Sequence, residues 1–568
     1  MQALTTLLDI TAVACFLILV SVIVSGGWTV NIFQIRISAH GPENPGAAVF
    51  ALLLLRKLID WRTPIHDIPL IRSIRQTLQR FAPLTEKRSL LVLAGLIIGY
   101  SVIMGAVVCM KHSAFKSHAY DLGIFSQVFW SATNGFGLHS SILDNSFLGE
   151  HFSPILYLLV PGYRLWPHPA YLLLVQTVIL ALAALPLFLL ASSELKSRNW
   201  GLFFAFLYLC YQPMRNVNLY DFHEIAIATP LLMLAFFFLH KGRTIAFLLV
   251  LGAALACKEE IAAIIFILGV YILFVRKQRL LGPVLAFSGL AIFFALIFLV
   301  IPHFRNAPYG FVGRYSYLGQ NIPAIMTTLA TRPAYVLSHL LTHDKLEYVW
   351  NVFGPLGFLS FASPSHLLLT APTLIQNLLS DCRPQYSTSF QYTSPLTPFV
   401  FISAVFGARR LLFRASQLEC RRDSSLPVFL ILCSLTLFGA SPVSNLKEYR
   451  STQYSRYVHE HVLPEIPPGA AVSAQEAFVP HLTQRRRLYE FPVVKDAEYV
   501  LLDSRANRWP MDESEYLRHI RDLMKTPHRI VLSNGSLLLL KLDPGSDKPG
   551  DQMPAGFIAK DEPEYSGE

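Results

Sequence analysis

Charge is what this sequence has least of. Only 15% of its 568 residues are Asp, Glu, Lys or Arg, against about 25% in an average soluble domain. With 53% hydrophobic residues and a mean hydropathy of +0.44, that scarcity excludes an ordinary solvated or disordered chain. Cysteine is also sparse. The seven cysteines form no C-x-x-C pair and mostly lie in apolar runs, so neither a zinc site nor a disulfide framework is expected. P-loop, GxGxxG, GxSxG and HExxH patterns are absent, which leaves soluble nucleotide or hydrolase chemistry without support. The N-terminal apolar stretch Leu7–Val24 lacks a basic leader and a small-residue cleavage site, and reads as a retained helix.

What is present instead is a series of apolar runs, each a candidate to cross a hydrocarbon layer of roughly 30 Å. They fall near residues 8–27, 46–58, 89–110, 170–193, 199–213, 225–240, 243–256, 260–275, 281–301, 347–362, 365–380, 394–413 and 426–444. The net charge of +10 collects in short loops between them, a pattern of membrane orientation rather than nucleic-acid binding. A basic stretch with Arg56, Lys57, Arg62, Arg72, Arg75, Arg80, Lys87 and Arg88 reads as cytoplasmic. If each run spans, the turns with Lys196/Arg198, Lys241/Arg243 and Arg276/Lys277/Arg279 lie on that same side. The acids of Tyr120–Asp121, Asp221–Glu224 and Lys258–Glu260 then lie on the other. A loop of about 45 residues, 302–346, is expected outside and without regular periodicity.

From about Lys447 the character changes. Short strands are expected at 470–474 and 498–503, a helix at 513–524, and a hairpin at 529–540 turning on Asn534–Gly535. The polar, Pro- and Gly-rich tail from 544 reads as disordered. The chain thus divides into N-terminal membrane segments with a basic loop (1–88), a transmembrane domain (89–445) with a first outer loop at 111–152, an extracytoplasmic α/β domain (446–543) and a tail (544–568). The fold class is an α-helical polytopic membrane protein of about 13 transmembrane helices with a small C-terminal soluble α/β domain.

In so sparsely charged a chain, acids converging on one side from several loops are a site signal. Asp121, Glu150, Asp221, Glu224, Glu259 and Glu260 do so, accompanied by His151 and His223. A bland reading stands beside each. Asp121 could cap a helix, Asp221 and Glu224 could share a helical face or be acids at a helix N-terminus, and Lys258–Glu259–Glu260 could be a short turn with a local ion pair. Asp, His and Glu are also metal-compatible ligand types, although their spacing matches no ligand signature, so a divalent metal stays open and no cofactor is required. Lys258, Arg305 and Arg314 could each meet a phosphate. His118, His168, His240 and His303 read as packing residues near run ends.

Several stretches resemble the predicted membrane proteins called domain of unknown function 2079. They are Tyr120-Asp-Leu-Gly-Ile-Phe-Ser-Gln-Val-Phe-Trp130, Gly149-Glu-His-Phe-Ser-Pro-Ile-Leu-Tyr157, Asp221-Phe-His-Glu224 and Cys257-Lys-Glu-Glu260. Ala371-Pro-Thr-Leu-Ile-Gln-Asn-Leu-Leu-Ser380, Val479-Pro-His-Leu482 and Tyr489-Glu-Phe-Pro492 are similar too, so the resemblance covers roughly 89–540. That family in turn resembles the GT-C glycosyltransferases, among them protein O-mannosyltransferases and aminoarabinose transferases. The resemblance implies Asp121 as the catalytic acid of the first outer loop and Glu150 as a second acid. His151-Phe-Ser-Pro154 would replace the family's His/Lys-Pro-Pro-Leu-like stretch, with only one proline kept. Tyr120, His151, Asp221, His223, Glu224, Lys258, Glu259, Arg305 and Arg314 form the candidate substrate-binding set.

The implied function is transfer of a sugar from a polyprenyl-phosphate donor to a lipid, glycan or protein acceptor at the outer face of the plasma (inner) membrane. Membrane lipids are the expected surroundings, and no nucleic-acid partner is expected. The alternative is a transporter or flippase for a lipid-linked or small polar solute, which would call for ionisable residues near the middle of the spans. A membrane scaffold whose C-terminal domain binds a partner is the third reading.

Overall fold

The computed structural model describes residues 2–25, 28–32, 35–39, 43–60, 84–417, 446, 448–508, 511–543, 550–554 and 557. Arg62, Arg72, Arg75 and Arg80 of the basic loop, the expected last span at 426–444 and most of the tail lie outside them. Among the described residues three helices are long and apolar enough to cross a membrane: Glu86–Ser113, Pro169–Glu194 and Leu281–Arg305. These three are clear candidates among the expected spans, whose full count of about 13 they do not establish. Other apolar runs form shorter helices, including Ile225–His240, Thr244–Leu255 and Ile261–Phe274.

Two of the three long helices start where the sequence provides caps. Thr85 accepts from the Arg88 N–H, and His168 accepts from the Ala170 N–H just before Pro169 at the first helical position. Lys111 and His112 occupy the last turn of Glu86–Ser113, where cations suit the helix dipole. Ile261–Phe274 and Leu281–Ala295 pack at near backbone contact through small residues. A Cβ on Gly269 would lie 2.3 Å from the Ala286 nitrogen, and one on Gly289 would lie 2.5 Å from that of Phe266.

Two expectations change here. The pair expected at 347–362 and 365–380 is a helix, His343–Phe353, followed by four short helical turns and the helix Ala371–Leu379. Prolines at 355, 364 and 372 and glycines at 354 and 357 interrupt any continuous run. The loop 302–346 is not irregular: it contains Gly310–Tyr315, Ile322–Thr331 and Pro333–Leu340 as helical segments.

The C-terminal region holds a five-stranded sheet in the order Leu488–Glu490, Val472–Ala474, Tyr499–Asp503, Leu537–Leu542, His528–Asn534. The first three strands are mutually parallel and the last two run antiparallel in the hairpin. Because Asn534 pairs with Leu537, the central turn residues are Gly535 and Ser536 rather than Asn534 and Gly535, with Gly535 at φ +58°. The strand Leu488–Glu490 was not foreseen: three residues carry too little alternation to be read.

This sheet docks on the first loop. Phe115 and Ala119 share a buried cluster with Val458, Phe478, Val479 and Leu482. Polar contacts fix the register of the docking. Ser126 meets Thr483 at 2.7 Å, the Gln127 amide donates to the Arg485 carbonyl at 3.2 Å, and Ser141 both donates to and accepts from the Leu488 backbone. The consequence for the site is that strand ends from the far C-terminus sit beside Asp121.

Candidate functional site

Residues 119–123 form one π-helical turn directly before the helix Ile124–Thr133, and Asp121 sits in it. Such turns widen the helix and often re-aim side chains at functional positions. Opposite lies Asp221, which ends the helix Gln212–Tyr220 in extended conformation. The 220–224 segment is held from below by Gln176, a buried amide inside an otherwise apolar helix. Its nitrogen donates to the Asp221 carbonyl at 2.8 Å, and its oxygen accepts from the His223 N–H at 2.8 Å.

The first centre follows from this. Asp121 accepts from the Tyr220 hydroxyl at 2.7 Å and from His223 Nε2 at 3.0 Å. Asp221 is fully buried and accepts from Lys111 Nζ at 3.0 Å and from the backbone and ring nitrogens of His118, each at 2.9 Å. Lys111 also donates to the Tyr220 carbonyl. Burial alone would raise the Asp221 pKa, but Lys111 and His118 outweigh it and hold the carboxyl below the usual range. For His118, burial works against the charged form, and the Asp221 hydrogen bond more than offsets it.

The second centre is the turn before Ile261. Its three charged side chains go to three different places, so it is not a local ion pair. Lys258 is buried rather than outward-facing, and its Nζ lies 3.4 Å from Glu224 Oε1. Glu259 accepts from His151 Nδ1 at 2.9 Å, the Phe152 N–H at 3.1 Å and the Tyr309 hydroxyl at 3.0 Å. Against the upward push of burial, His151 and Lys258 bring its pKa down to about 2. Glu260 accepts from Gln376 at 3.1 Å. Glu224 differs from all of these. Both its oxygens are buried with no hydrogen-bond partner among the described residues, although Lys258 is within ion-pair distance.

Beside this centre is a cavity of ≈ 340 Å³, within the usual ligand-pocket range of about 300–1,000 Å³. Its walls are mostly apolar, with Phe293, Ile297, Leu318, Ile322, Ile325 and Ile375. Lys258, Glu259, Glu260, Arg314, Gln376 and Tyr392 supply the polar end. Arg314 donates to Gln385 at 3.2 Å and lies over the Phe311 ring at 4.6 Å. The two centres adjoin, because His223 reaches Asp121 while the next residue, Glu224, reaches Lys258.

The expected residues therefore divide. Asp121, Asp221 and His223 meet in the first centre, with Tyr120 beside it. His151, Lys258, Glu259 and Arg314 line the cavity, and Glu224 joins the two. Asp221 and Glu224 share no helical face, and Glu224 makes no side-chain cap to the helix that follows it. Glu150 takes neither place: it pairs with Arg305 at 2.8 Å. That pair depends on Gly149, where a Cβ would fall 2.8 Å from the Arg305 backbone nitrogen. His118, read as packing, belongs to the first centre.

Lys111, Tyr220, Gln176, Glu476 and Glu490 went unforeseen. A polar Gln inside an apolar run was a readable signal. Lys111, just past the end of an apolar run, carries no local signal of its partner, and the two glutamates lie more than 300 residues from Asp121 in sequence.

Donor atoms of His118, Asp121 and Asp221 lie within 4.8 Å of one another, the spacing a metal would need. They do not fit one well. Each oxygen of Asp121 and Asp221 already accepts a hydrogen bond, and Lys111 places a positive charge 3.0 Å from Asp221.

The family described as "Predicted membrane protein (DUF2079)" matches residues 111–535 of the chain. No curated protein matches it. Among the solved structures this chain is similar to are two of one protein. One is ArnT from Cupriavidus metallidurans bound to undecaprenyl phosphate, at 11% identity over 79% of this chain and 97% of that one, with a TM-score of 0.47. The other is the same protein in the apo state, at 12% identity over 78% and 98%, with a TM-score of 0.45.

Proposed function

This chain belongs to the DUF2079 family of predicted membrane proteins, and we propose that it is a membrane glycosyltransferase acting on a polyprenyl-phosphate sugar. What supports the reading is one juxtaposition: a mainly apolar cavity with Lys258 and Arg314 at its polar end adjoins an acid–histidine centre built on Asp121. A prenyl chain needs the first feature, and a hydroxyl acceptor needs the second.

In this reading Asp121 is the base. Tyr220 and His223 hold its carboxylate in one orientation, and it takes the proton of the acceptor hydroxyl. The acceptor oxygen forms a bond to the anomeric carbon as the bond from that carbon to the phosphate oxygen breaks. The electron pair leaves with the polyprenyl phosphate, whose growing negative charge lies near Lys258 and Arg314. Asp221 is a positioning residue, since it neutralises Lys111 and sets His118 beside the acid. Glu150 and Arg305 form an ion pair flanking His151 rather than a second catalytic acid. The active face and the C-terminal domain lie on the non-cytoplasmic side in this account.

The test is transfer of label from a polyprenyl-phosphate sugar in membranes containing either the wild type or Asp121→Asn. The account expects transfer to fall at least about a hundredfold, with the protein still in the membrane at its normal level. Full activity in the variant removes the role given to Asp121.

A further inference from the structure

We propose that His112, His168, His459 and His481 form an acid-released clamp that holds the C-terminal domain over the first loop. The clamp closes the Asp121 centre whether or not the chain transfers sugar.

The four rings come from four separate stretches of chain. His112 lies in the last turn of the helix Glu86–Ser113, and His168 caps the helix that starts at Pro169. His459 lies in the turn Val458–Val462. His481 ends the turn Val479–His481, within the Val479-Pro-His-Leu482 stretch that neither charged centre uses. The rings of His112 and His481 stack face to face, 4.2 Å apart and 7° from parallel. His168 stands edge-on to His112 at 6.0 Å, and His459 stands edge-on to His481 at 5.0 Å. Phe115 packs against both histidines of the C-terminal domain, 4.1 Å from His481 and 4.6 Å from His459. Two rings therefore belong to the long apolar helices and two to the C-terminal domain, so the stack is itself the joint. Among the described residues no three of these histidines bring their nitrogens within 4.8 Å, so the rings pack on one another rather than around an ion.

Such a stack needs neutral rings, because imidazolium ions at this separation repel each other. His112 keeps a polar partner in Ser117 Oγ at 3.3 Å. His481 has less: its Nε2 is buried with no hydrogen-bond partner among the described residues. A proton on that nitrogen would have no acceptor. Charged neighbours do not compensate. Asp221 is an acid whose charge reaches His112, but Lys111 and His118 already occupy it, and Lys111 adds a positive charge of its own. Glu460 and His461, on the His459 turn, are exposed, and His461 stacks on Tyr457 instead. Burial, and then His112, His459 and His168, hold the His481 pKa well below its usual 6.5. Burial and His459 also lower that of His168.

The joint therefore responds to acid with a definite sign. When it opens, His481 returns to its usual 6.5 and binds a proton below that pH, so the open state holds more protons than the closed one. Closure is fully present above about pH 6.5 and weakens as pH falls, by up to about tenfold per pH unit for His481. Glu490 works the other way: docking sets it against Tyr120 and Glu476, and its pKa is raised to about 8. The clamp is therefore read from histidine variants against wild type. Docking also sets Glu476 within reach of the charges of His118, Asp121 and Asp221, so release uncovers that centre.

Hydrogen–deuterium exchange of the full-length protein in nanodiscs, from pH 7.5 to pH 5.0, tests the clamp. Rates in segments 115–126 and 479–488 are divided by the intrinsic amide rate at each pH to give opening constants. The ratio of opening in wild type to opening in His481→Phe should rise about thirtyfold between pH 7.5 and pH 5.0. His168→Asn keeps an acceptor for the Ala170 N–H and removes one titrating ring. Its ratio should rise at least threefold, and it decides the matter if His481→Phe fails to reach the membrane. His461→Gln should keep the wild-type profile. A packing role alone would change opening equally at every pH. Ratios that stay constant from pH 7.5 to pH 5.0 in every clamp variant measured, or a His461→Gln profile that departs as His481→Phe does, overturn the proposal.

Discussion

The two charged centres are built from the same residue types and are satisfied very differently. Around Asp121 and Asp221 every carboxylate oxygen accepts a hydrogen bond, from Tyr220, His223, Lys111 or His118. At Glu224 and Lys258, one helical segment away, a fully buried carboxylate has a cation at 3.4 Å and no hydrogen bond among the described residues. The first arrangement is that of preorganised groups, oriented before anything binds. The second is a buried charge pair with loose geometry, which is expensive to maintain and easily redirected. Lys258 lines the cavity, so an anion arriving there would offer it a better partner than Glu224.

The largest way to break this contrast is Lys258→Met. It leaves the Glu224 charge buried without its partner, and should destabilise the protein by about 3–5 kcal/mol, as removal of one member of a buried pair does. The double variant Glu224→Gln/Lys258→Met should recover most of that loss in a thermal unfolding series in detergent. A double variant no more stable than the single one would mean that the pair is not the coupled unit described here.

A smaller effect sharpens the contrast from the other side. Glu490 is a neutral acid when folded, with a pKa of about 8, whereas its unfolded value is 4.5. The unfolded state therefore loses its proton first. Wild-type stability falls as pH rises from about 4.5 to about 8 and is flat above that window. Glu490→Gln cannot ionise, so its stability relative to wild type should grow steadily across the same window. A melting-temperature difference that is the same at pH 5 and pH 8.5 would contradict the buried neutral acid.

Much of this was legible in the sequence for a simple reason: in a chain with few charges, each acid in a short connection stands out. Asp121, Asp221, His223, Lys258 and Glu259 were visible that way. Partners were not, because a partner is a tertiary fact. Nothing local says that Lys111 meets Asp221 across 110 residues, or that Glu490 approaches Tyr120 from the far end of the chain. The partner of Glu150 was hidden for the same reason: its neighbour in space is Arg305. Helix lengths were harder to read: apolar runs between residues 199 and 275 form helices such as Thr244–Leu255, shorter than the roughly 20 residues of a full span. In the loop 302–346, segments of eight and ten residues are too brief for their periodicity to emerge from a Pro- and Tyr-rich background.

The central claim is that the cavity takes a prenyl phosphate whose head lies at Lys258 and Arg314. Native mass spectrometry of the purified full-length protein with added undecaprenyl phosphate tests it most directly. The account predicts a one-to-one lipid adduct that survives Asp121→Asn and is lost, or weakened at least tenfold, in Arg314→Ala. An adduct equally abundant in wild type and Arg314→Ala, or none in the wild type, would contradict it.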